Sequence, residues 1–261
     1  MNLPRLNPYY RASLVLIGAA VILITLAIVT NQRDITTAAV VLSALVCLVT
    51  GVFLATLSSG EPLDVRYVSL LPVQGSINLA RLGADLGISG NAVMLPAGKD
   101  GRIRTVQFNP VSDYDGEAVP VSGNSFVAGP DAAGLVTVPS GEPLFLELRK
   151  QHQLAIPPDP DALPDLIREV GVDLLEVADR VRTEQEERTV TVTMEGYRLI
   201  GGCMALATES PRCCSTHPCP VCSLIACLLA EGLGTVVQVE RCSPDAGQQS
   251  VTAVFCLLPS R

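Results

Sequence analysis

The sequence predicts an α+β soluble region with antiparallel strands, anchored by an N-terminal transmembrane helical hairpin. Two uncharged apolar runs fill most of the first sixty residues, and helical and alternating patterns then follow each other through the rest of the chain. The last predicted elements are a helix and two strands joined by a short turn. Strands joined in this way pair antiparallel, which is typical of the α+β class.

The two apolar runs cover residues 12–30 and 35–57 and contain no charged side chain. At about 1.5 Å per helical residue, each is long enough for the roughly 30 Å core of a bilayer. A secretory signal peptide followed by a buried helix is the alternative. The first run is longer than a signal core of about 7–15 residues, and a second run follows after only "NQRD". We therefore assign residues 1–60 to a two-span hairpin in the cell membrane.

Charge is distributed unevenly along the chain. Three arginines and one aspartate give residues 1–60 a charge of +2, so the other 201 residues carry −10 of the net −8. Arg5 and Arg11 precede the first run and Arg66 follows the second, which predicts that both termini and the soluble part are cytoplasmic. An acidic soluble part repels phosphate backbones, and we therefore do not expect nucleic acid as a partner.

Residues 61–156 are predicted to form a first α+β lobe. Apolar spacing predicts a helix over 76–87, and two strands around the turn "GKDG" predict a β-hairpin. The Gly-, Pro-, Ser- and Asp-rich residues 111–130 are predicted as loop. A short strand in "GLVTVPSG" and a helix in "GEPLFLELRKQHQ", with Pro143 near its start, complete the lobe.

Residues 157–261 are predicted to form a Cys-rich α+β domain that begins at the stiff segment "PPDPDALP". Its first element is predicted as a helix over 163–181, or as two helices broken at Gly171. "RTVTVTMEGY" alternates strictly and predicts a half-buried strand. A Cys-rich loop, the helix "PVCSLIACLLAEG" and the strands "TVVQVERC" and "SVTAVFCLL" follow.

Cysteine is concentrated near the C-terminus, where eight of the nine cysteines lie beyond residue 200. A cytoplasmic compartment would keep them as thiols or metal ligands, whereas the inverted topology would allow disulfides. A zinc ion or an iron–sulfur cluster would use thiolate and imidazole ligands of this kind. The candidate metal ligands are Cys213, Cys214, His217, Cys219 and Cys222. They crowd one segment unless Cys203 or Cys242 joins them from elsewhere.

Thiol redox chemistry is a second interpretation of the same segment. Cys219 and Cys222 form a "CPVC" motif at a predicted helix start, where the helix dipole and free N–H groups stabilise a thiolate. This motif resembles the active motif of glutaredoxins over four residues. A structural role is the third interpretation, because free cysteine packs as a small apolar side chain, as we expect for Cys47, Cys227 and Cys256.

The segment "PVCSLIACLLAEGLGTVVQVERCSPDAGQQSVTAVFCL" resembles the end of the 4-vinyl-reductase-like small-molecule-binding domains. In that pattern a Cys-led apolar helix ends in Gly, and a strand of alternating valines leads to a Cys; the matching residues are Cys222 and Cys242. The whole layout is similar to a group of uncharacterised archaeal two-span membrane proteins, through "AVMLP", "GLVTVPSGEPL" and "PCPVCSLIACLLAEGLG". The resemblance implies a ligand-binding α+β fold that can dimerise and has a pocket for a small apolar molecule.

No catalytic set is recognisable, because the two histidines are far apart and the chain has no GxSxG, Walker, GxGxxG or HExxH motif. We therefore expect a membrane-anchored cytoplasmic binding or sensing module rather than an enzyme. Its Cys/His set would hold a metal or order the loop over the pocket. The alternatives are a thiol oxidoreductase that uses Cys219 and Cys222, and a scaffold subunit of a membrane complex.

Overall fold

A computed structural model of the chain describes residues 8–30, 35–57, 64–96, 105–112, 114, 116, 125–129 and 133–259. The chain divides into two compact units, Met1–Leu63 and Asp64–Arg261. The described helices are α1 (Pro8–Thr30), α2 (Ile35–Leu57), α3 (Val65–Leu70), α4 (Val73–Asp85), α5 (Glu142–His152), α6 (Leu163–Arg168), α7 (Ile200–Glu209), α8 (Cys213–Thr216) and α9 (Pro220–Gly232). The described strands are β1 (Val93–Leu95), β2 (Val106–Pro110), β3 (Phe126–Ala128), β4 (Ala133–Thr137), β5 (Arg180–Glu186), β6 (Thr189–Glu195), β7 (Val236–Asp245) and β8 (Ser250–Leu258).

Helices α1 and α2 form the first unit, and both are long and apolar enough to cross a membrane. The Ser13 hydroxyl donates to the Gly51 carbonyl at 2.7 Å, and a Cβ at Gly51 would lie 2.8 Å from the Ile17 side chain. Small residues at this contact let the two backbones approach closely. A third described segment, Cys213–Gly232, is also apolar enough to span, but it is 89% buried in the second unit and belongs to the core there.

The second unit is built on a sheet whose eight described strands run in the order β3-β4-β2-β1-β7-β8-β6-β5. Every described pair is antiparallel, which confirms the predicted α+β class. The predicted boundary at residue 157 falls between α5 and α6, and the sheet takes four strands from each side of it. The β1–β2 pair agrees with the predicted hairpin, whereas its turn "GKDG" lies outside the described residues.

Helix α9 lies at the centre of this unit because it is apolar on every side. Its Ile225 and Leu229 pack with the alternating buried residues of β6 and β8 against the sheet. Its Leu224 and Leu228 face the opposite way and pack with residues of α5 and α6. The helix therefore joins two core clusters.

Three predicted elements need correction. The helix predicted over 163–181 is wrong beyond Leu174, because a π-helical turn (Glu169–Leu174) ends it and β5 follows. A Cβ at Gly171 would lie 2.8 Å from the Val181 side chain, so only glycine lets this turn pack against β5. The loop predicted over 111–130 contains β3. The Cys-rich loop is preceded by α7 and contains the single turn α8.

Candidate functional site

A cavity of about 680 Å³ lies in the second unit beside α3, α7 and the start of α9. Most of its wall is aliphatic, and its lining includes Val68, Leu71, Val177, Leu199 and Val221. The polar groups on its wall are few and are contributed by Ser69, Glu176, Tyr197, Arg198, Cys203 and Cys219. The cavity is therefore a predominantly apolar chamber with a small polar region.

Helix α3 forms one wall of the cavity and starts at a well-defined cap. The Asp64 carboxylate accepts a hydrogen bond from the Arg66 N–H at 2.9 Å, which is the usual role of aspartate before a helix. Helix α7 comes very close to α3, since a Cβ on Gly202 would overlap the carbonyl oxygen of Ser69. The double glycine of α7 thus sets the distance between two walls of the cavity.

Four thiols meet at the polar end of this cavity, and we call them the thiol cluster. They come from three elements: α7, the start of α9, and β7 just after its bulge. The members are Cys203, Cys219, Cys222 and Cys242. Cys203 and Cys219 line the cavity, whereas Cys222 is buried one turn into α9 between Cys219 and Cys242. The structure thus brings both members of the "CPVC" motif together with the two distant cysteines.

Contacts within the thiol cluster shift the pKa values of its thiols in different directions. Hydrogen bonds from the Cys203 and Cys222 thiols lower the pKa of Cys219, and the backbone N–H groups of Cys222 and Val221 act in the same direction against the effect of burial. The hydrogen bond to Cys219 raises the pKa of Cys203 and of Cys222, and burial adds to both. Cys219 is therefore the thiol of the cluster that ionises most readily.

Tyr197 is a site residue that the sequence analysis missed. It is 1% exposed, lines the cavity and hydrogen bonds to Cys219, and burial raises its pKa well above the ordinary value. The preceding Gly196 has φ +63°, and a Cβ there would overlap the Asp179 carboxylate. The available signal was a glycine immediately after an alternating strand, which marks a sharp turn next to a bulky side chain.

The other predicted metal ligands lie in different surroundings. Cys213 and Cys214 pack with Ile77 of α4 and Leu206 of α7 in a small core that Cys242 of the thiol cluster also contacts. Burial raises the pKa of Cys213 to about 11. His217 lies next to Gly83 of α4, where a Cβ would be 3.4 Å from its Nε2. Its Nδ1 is buried with no hydrogen-bond partner among the described residues.

The described side chains do not fit a metal ion in their present arrangement. Across residues 8–259, leaving out the gaps given above, no three His, Cys, Asp or Glu side chains are placed to hold one. The thiol cluster and His217 also line different cavities. Metal binding by the five predicted ligands therefore stays a prediction from the sequence.

A second cavity, of about 510 Å³, is lined in part by one member of the thiol cluster. Its lining is polar and includes Arg212, Glu240 and Arg241, together with Cys242. The Cys242 thiol donates to the Cys214 carbonyl at 3.9 Å. The cluster consequently extends from an apolar cavity to a polar one.

No curated protein matches the chain in a sequence comparison. No solved structure matches it either. A family model described as Domain of unknown function (DUF7982) matches residues 4–256. Since this match covers nearly the whole sequence, the chain belongs to the DUF7982 family.

Proposed function

We propose that this chain is a membrane-anchored binding module that holds one small apolar molecule in the cavity beside α3, α7 and α9. The observation that carries the proposal is the cavity itself, with a volume of about 680 Å³ and a largely aliphatic wall. Small-molecule sites typically have volumes of roughly 300–1,000 Å³ and combine an apolar lining with a few polar groups that orient the ligand.

The polar groups of the wall favour an uncharged ligand. The Ser69 hydroxyl already donates to the Arg66 carbonyl at 2.8 Å, and the Arg198 and Glu176 side chains are exposed and lie 3.8 Å apart as an ion pair. Tyr197 and the thiols of Cys203 and Cys219 remain as groups that can contact a ligand. A charged ligand would lose its hydration here without a fixed opposite charge in the interior.

The anchor and the compartment are part of the proposal. Two apolar helices support insertion in the cell membrane, and the positive flanks of the hairpin support a cytoplasmic soluble unit. The resemblance to 4-vinyl-reductase-like domains supports the same ligand class, a small apolar molecule.

Binding is tested with the full chain in lipid nanodiscs and the apolar fluorophore 1-aminoanthracene. Val68→Phe combined with Val177→Phe fills the cavity, and Leu146→Phe is the control, because Leu146 is 52% exposed on α5 and does not line the cavity. We expect saturable binding to the wild type and the control, and affinity weaker by about tenfold or more in the double variant.

Partition of the fluorophore into lipid is the same for all three proteins and is subtracted with empty nanodiscs. Thermal unfolding of each variant verifies that the cavity-filling protein is folded. Equal saturable binding by all three proteins would contradict the proposal, as would the lack of a saturable component in the wild type.

Thiol oxidoreductase activity is a second candidate, favoured by the position of the "CPVC" pair. Cys219 lies on the cavity wall and Cys222 is buried directly behind it. The Cys219 thiolate would attack a substrate disulfide, forming a mixed disulfide and releasing one substrate sulfur as a thiolate. Cys222 would then attack the Cys219 sulfur, leaving a Cys219–Cys222 disulfide and the reduced substrate.

Oxidised glutathione serves as the probe for this second candidate. Without the resolving thiol, Cys222→Ser should accumulate a glutathione adduct on Cys219, whereas the wild type should not. Cys227→Ser is the matched control, because Cys227 is a buried cysteine of the same helix outside the thiol cluster. Equal adduct levels in the three proteins, measured by peptide mass spectrometry, would remove this candidate.

A further inference from the structure

Helix α4 has three distinct sides rather than the usual two. Its buried side packs against the core through Val73, Ile77 and Ala80. A second side, at steps of three and four residues, is polar and consists of Gln74, Asn78, Arg81 and Asp85. The third side is apolar and exposed, and consists of Leu79, Leu82 and Leu86, which are 38%, 61% and 61% exposed. Positions three or four apart fall on one face of a helix, so these leucines form a continuous stripe.

The preceding helix, α3, also carries large apolar side chains that are exposed. These side chains are Tyr67, which is 70% exposed, Leu70, which is 51% exposed, and the C-cap residue Leu71, which is 74% exposed. Their spacing also places them on one side of the helix. We call the six side chains on α3 and α4 the apolar face. An ordinary surface helix carries polar residues on its solvent side, and a concentration of large apolar side chains marks a contact with another apolar phase.

Chain order indicates which apolar phase this is. The second apolar helix ends at Leu57, and the cap of α3 is Asp64. Seven residues span at most about 25 Å when fully extended, so the connection in the chain between a candidate membrane span and α3 is short. Helix α4 follows α3 after only two residues.

Charge supports the same assignment. Residues 64–88 contain two arginines and two aspartates and are neutral, whereas the part of the chain after residue 60 carries −10. Neutrality removes the repulsion that the rest of the acidic unit would experience near anionic headgroups. Arg66 and Arg81 have long side chains that can reach headgroups while their aliphatic parts stay in apolar surroundings.

We propose that the apolar face of α3 and α4 lies in the interfacial layer of the lipid bilayer. Amphipathic helices of this kind bury their apolar side about 5–10 Å into the boundary between headgroups and acyl chains. Tyr67 suits this layer, because tyrosine is enriched where an apolar ring meets polar headgroups. This inference is separate from the cavity ligand, since five of the six side chains of the apolar face do not line the cavity and only Leu71 belongs to both.

The absence of tryptophan from the chain makes a direct test simple. Tyr67→Trp and Leu82→Trp each place a single tryptophan on the apolar face, and Leu146→Trp places one on an exposed position of α5 as the matched control. Each full-length variant is reconstituted in phosphatidylcholine vesicles, with and without bromine atoms on the acyl chains. We expect blue-shifted emission and strong quenching by brominated lipid for Tyr67→Trp and Leu82→Trp, and neither effect for Leu146→Trp.

Three other results would overturn the proposal. Red-shifted emission without quenching at both positions would show that the face is in water. Blue-shifted emission without quenching would show that it is covered by protein, either a second copy of this chain or another partner. Equal quenching of all three variants would mean that lipid contact is not specific to this face and would also overturn it.

Discussion

At the residue scale, Cys219 and Cys213 are close in sequence but differ in protonation. Hydrogen bonds lower the pKa of Cys219 below its ordinary value of 9.0, whereas burial raises that of Cys213 to about 11. We predict that iodoacetamide alkylates Cys219 well before Cys213 at pH 7, because only the thiolate reacts. Between pH 7 and pH 9 the rate should rise less steeply for Cys219 than for Cys213. Parallel pH profiles in peptide mass spectrometry would contradict the assignment.

His217 links protonation to stability. Burial lowers its pKa from the ordinary value of 6.5, so the folded chain binds this proton less readily than the unfolded chain does. The free energy of unfolding should therefore decrease as the pH falls below about 6.5 and stop responding to His217 below its folded-state pKa.

A substitution that removes this imidazole tests the link. His217→Gln should reduce the loss of stability between pH 7 and pH 5.5. Denaturant unfolding of the full chain at the two pH values measures the difference. An identical pH dependence in wild type and His217→Gln would show that this histidine is not involved.

Two glycines allow a comparison of close packing with free space. Gly202→Ala should lower the free energy of unfolding by about 1–3 kcal/mol, because the new Cβ meets the Ser69 carbonyl and α3 must move. Gly75→Ala in α4 meets nothing within 4 Å and should raise it by up to about 1 kcal/mol through helix propensity. Chemical denaturation checks both values, and similar effects of the two substitutions would argue against the close α3–α7 contact.

At the element scale, α9 holds the second unit together because it contributes to two core clusters. Leu228→Ala should cost about 2–5 kcal/mol, since the side chain is fully buried and its removal leaves a cavity. Leu146→Ala removes the same atoms from an exposed position of α5 and should change stability by less than about 0.5 kcal/mol. A small effect at Leu228 in denaturant unfolding would contradict the central position of α9.

The elements that could be predicted are those whose pattern and surroundings agree. Helix α9 has proline at its start and glycine at its end, and β6 alternates because one face is buried. Strand β5 was missed because it is an edge strand whose charged residues hide the alternation around Val181. Helix α7 was missed because its adjacent glycines, which the contact with α3 requires, are unfavourable in helices.

The candidate site could be predicted only in part. The "CPVC" motif marks Cys219 and Cys222 by local spacing, which a sequence displays directly. Cys203 and Cys242 join them through the packing of α7 and β7, and no local pattern reports that contact. The cavity could not be predicted from the sequence, because its volume depends on how five separate chain segments pack around it.

At the scale of the whole molecule, the second unit combines an acidic surface, a neutral apolar face and a predominantly apolar cavity. Helix α3 belongs to both the face and the cavity wall, since Val68 lines the cavity and Tyr67 is exposed. A ligand that dissolves in lipid would suit both features. The proposed function and the proposed lipid contact are nevertheless separable, because Tyr67 and Leu82, the two positions of the lipid test, do not line the cavity.

The most direct measurement of the central claim is protection of a cavity thiol by an apolar ligand. Cys219 lines the cavity, and Cys256 on β8 is also half-buried but lies outside the lining. Saturating 1-aminoanthracene should slow the alkylation of Cys219 in the full chain by about tenfold or more, because a bound molecule blocks access to the wall. Cys256 should react at its original rate. An unchanged rate at Cys219, or equal slowing at both cysteines, would contradict a ligand site in this cavity.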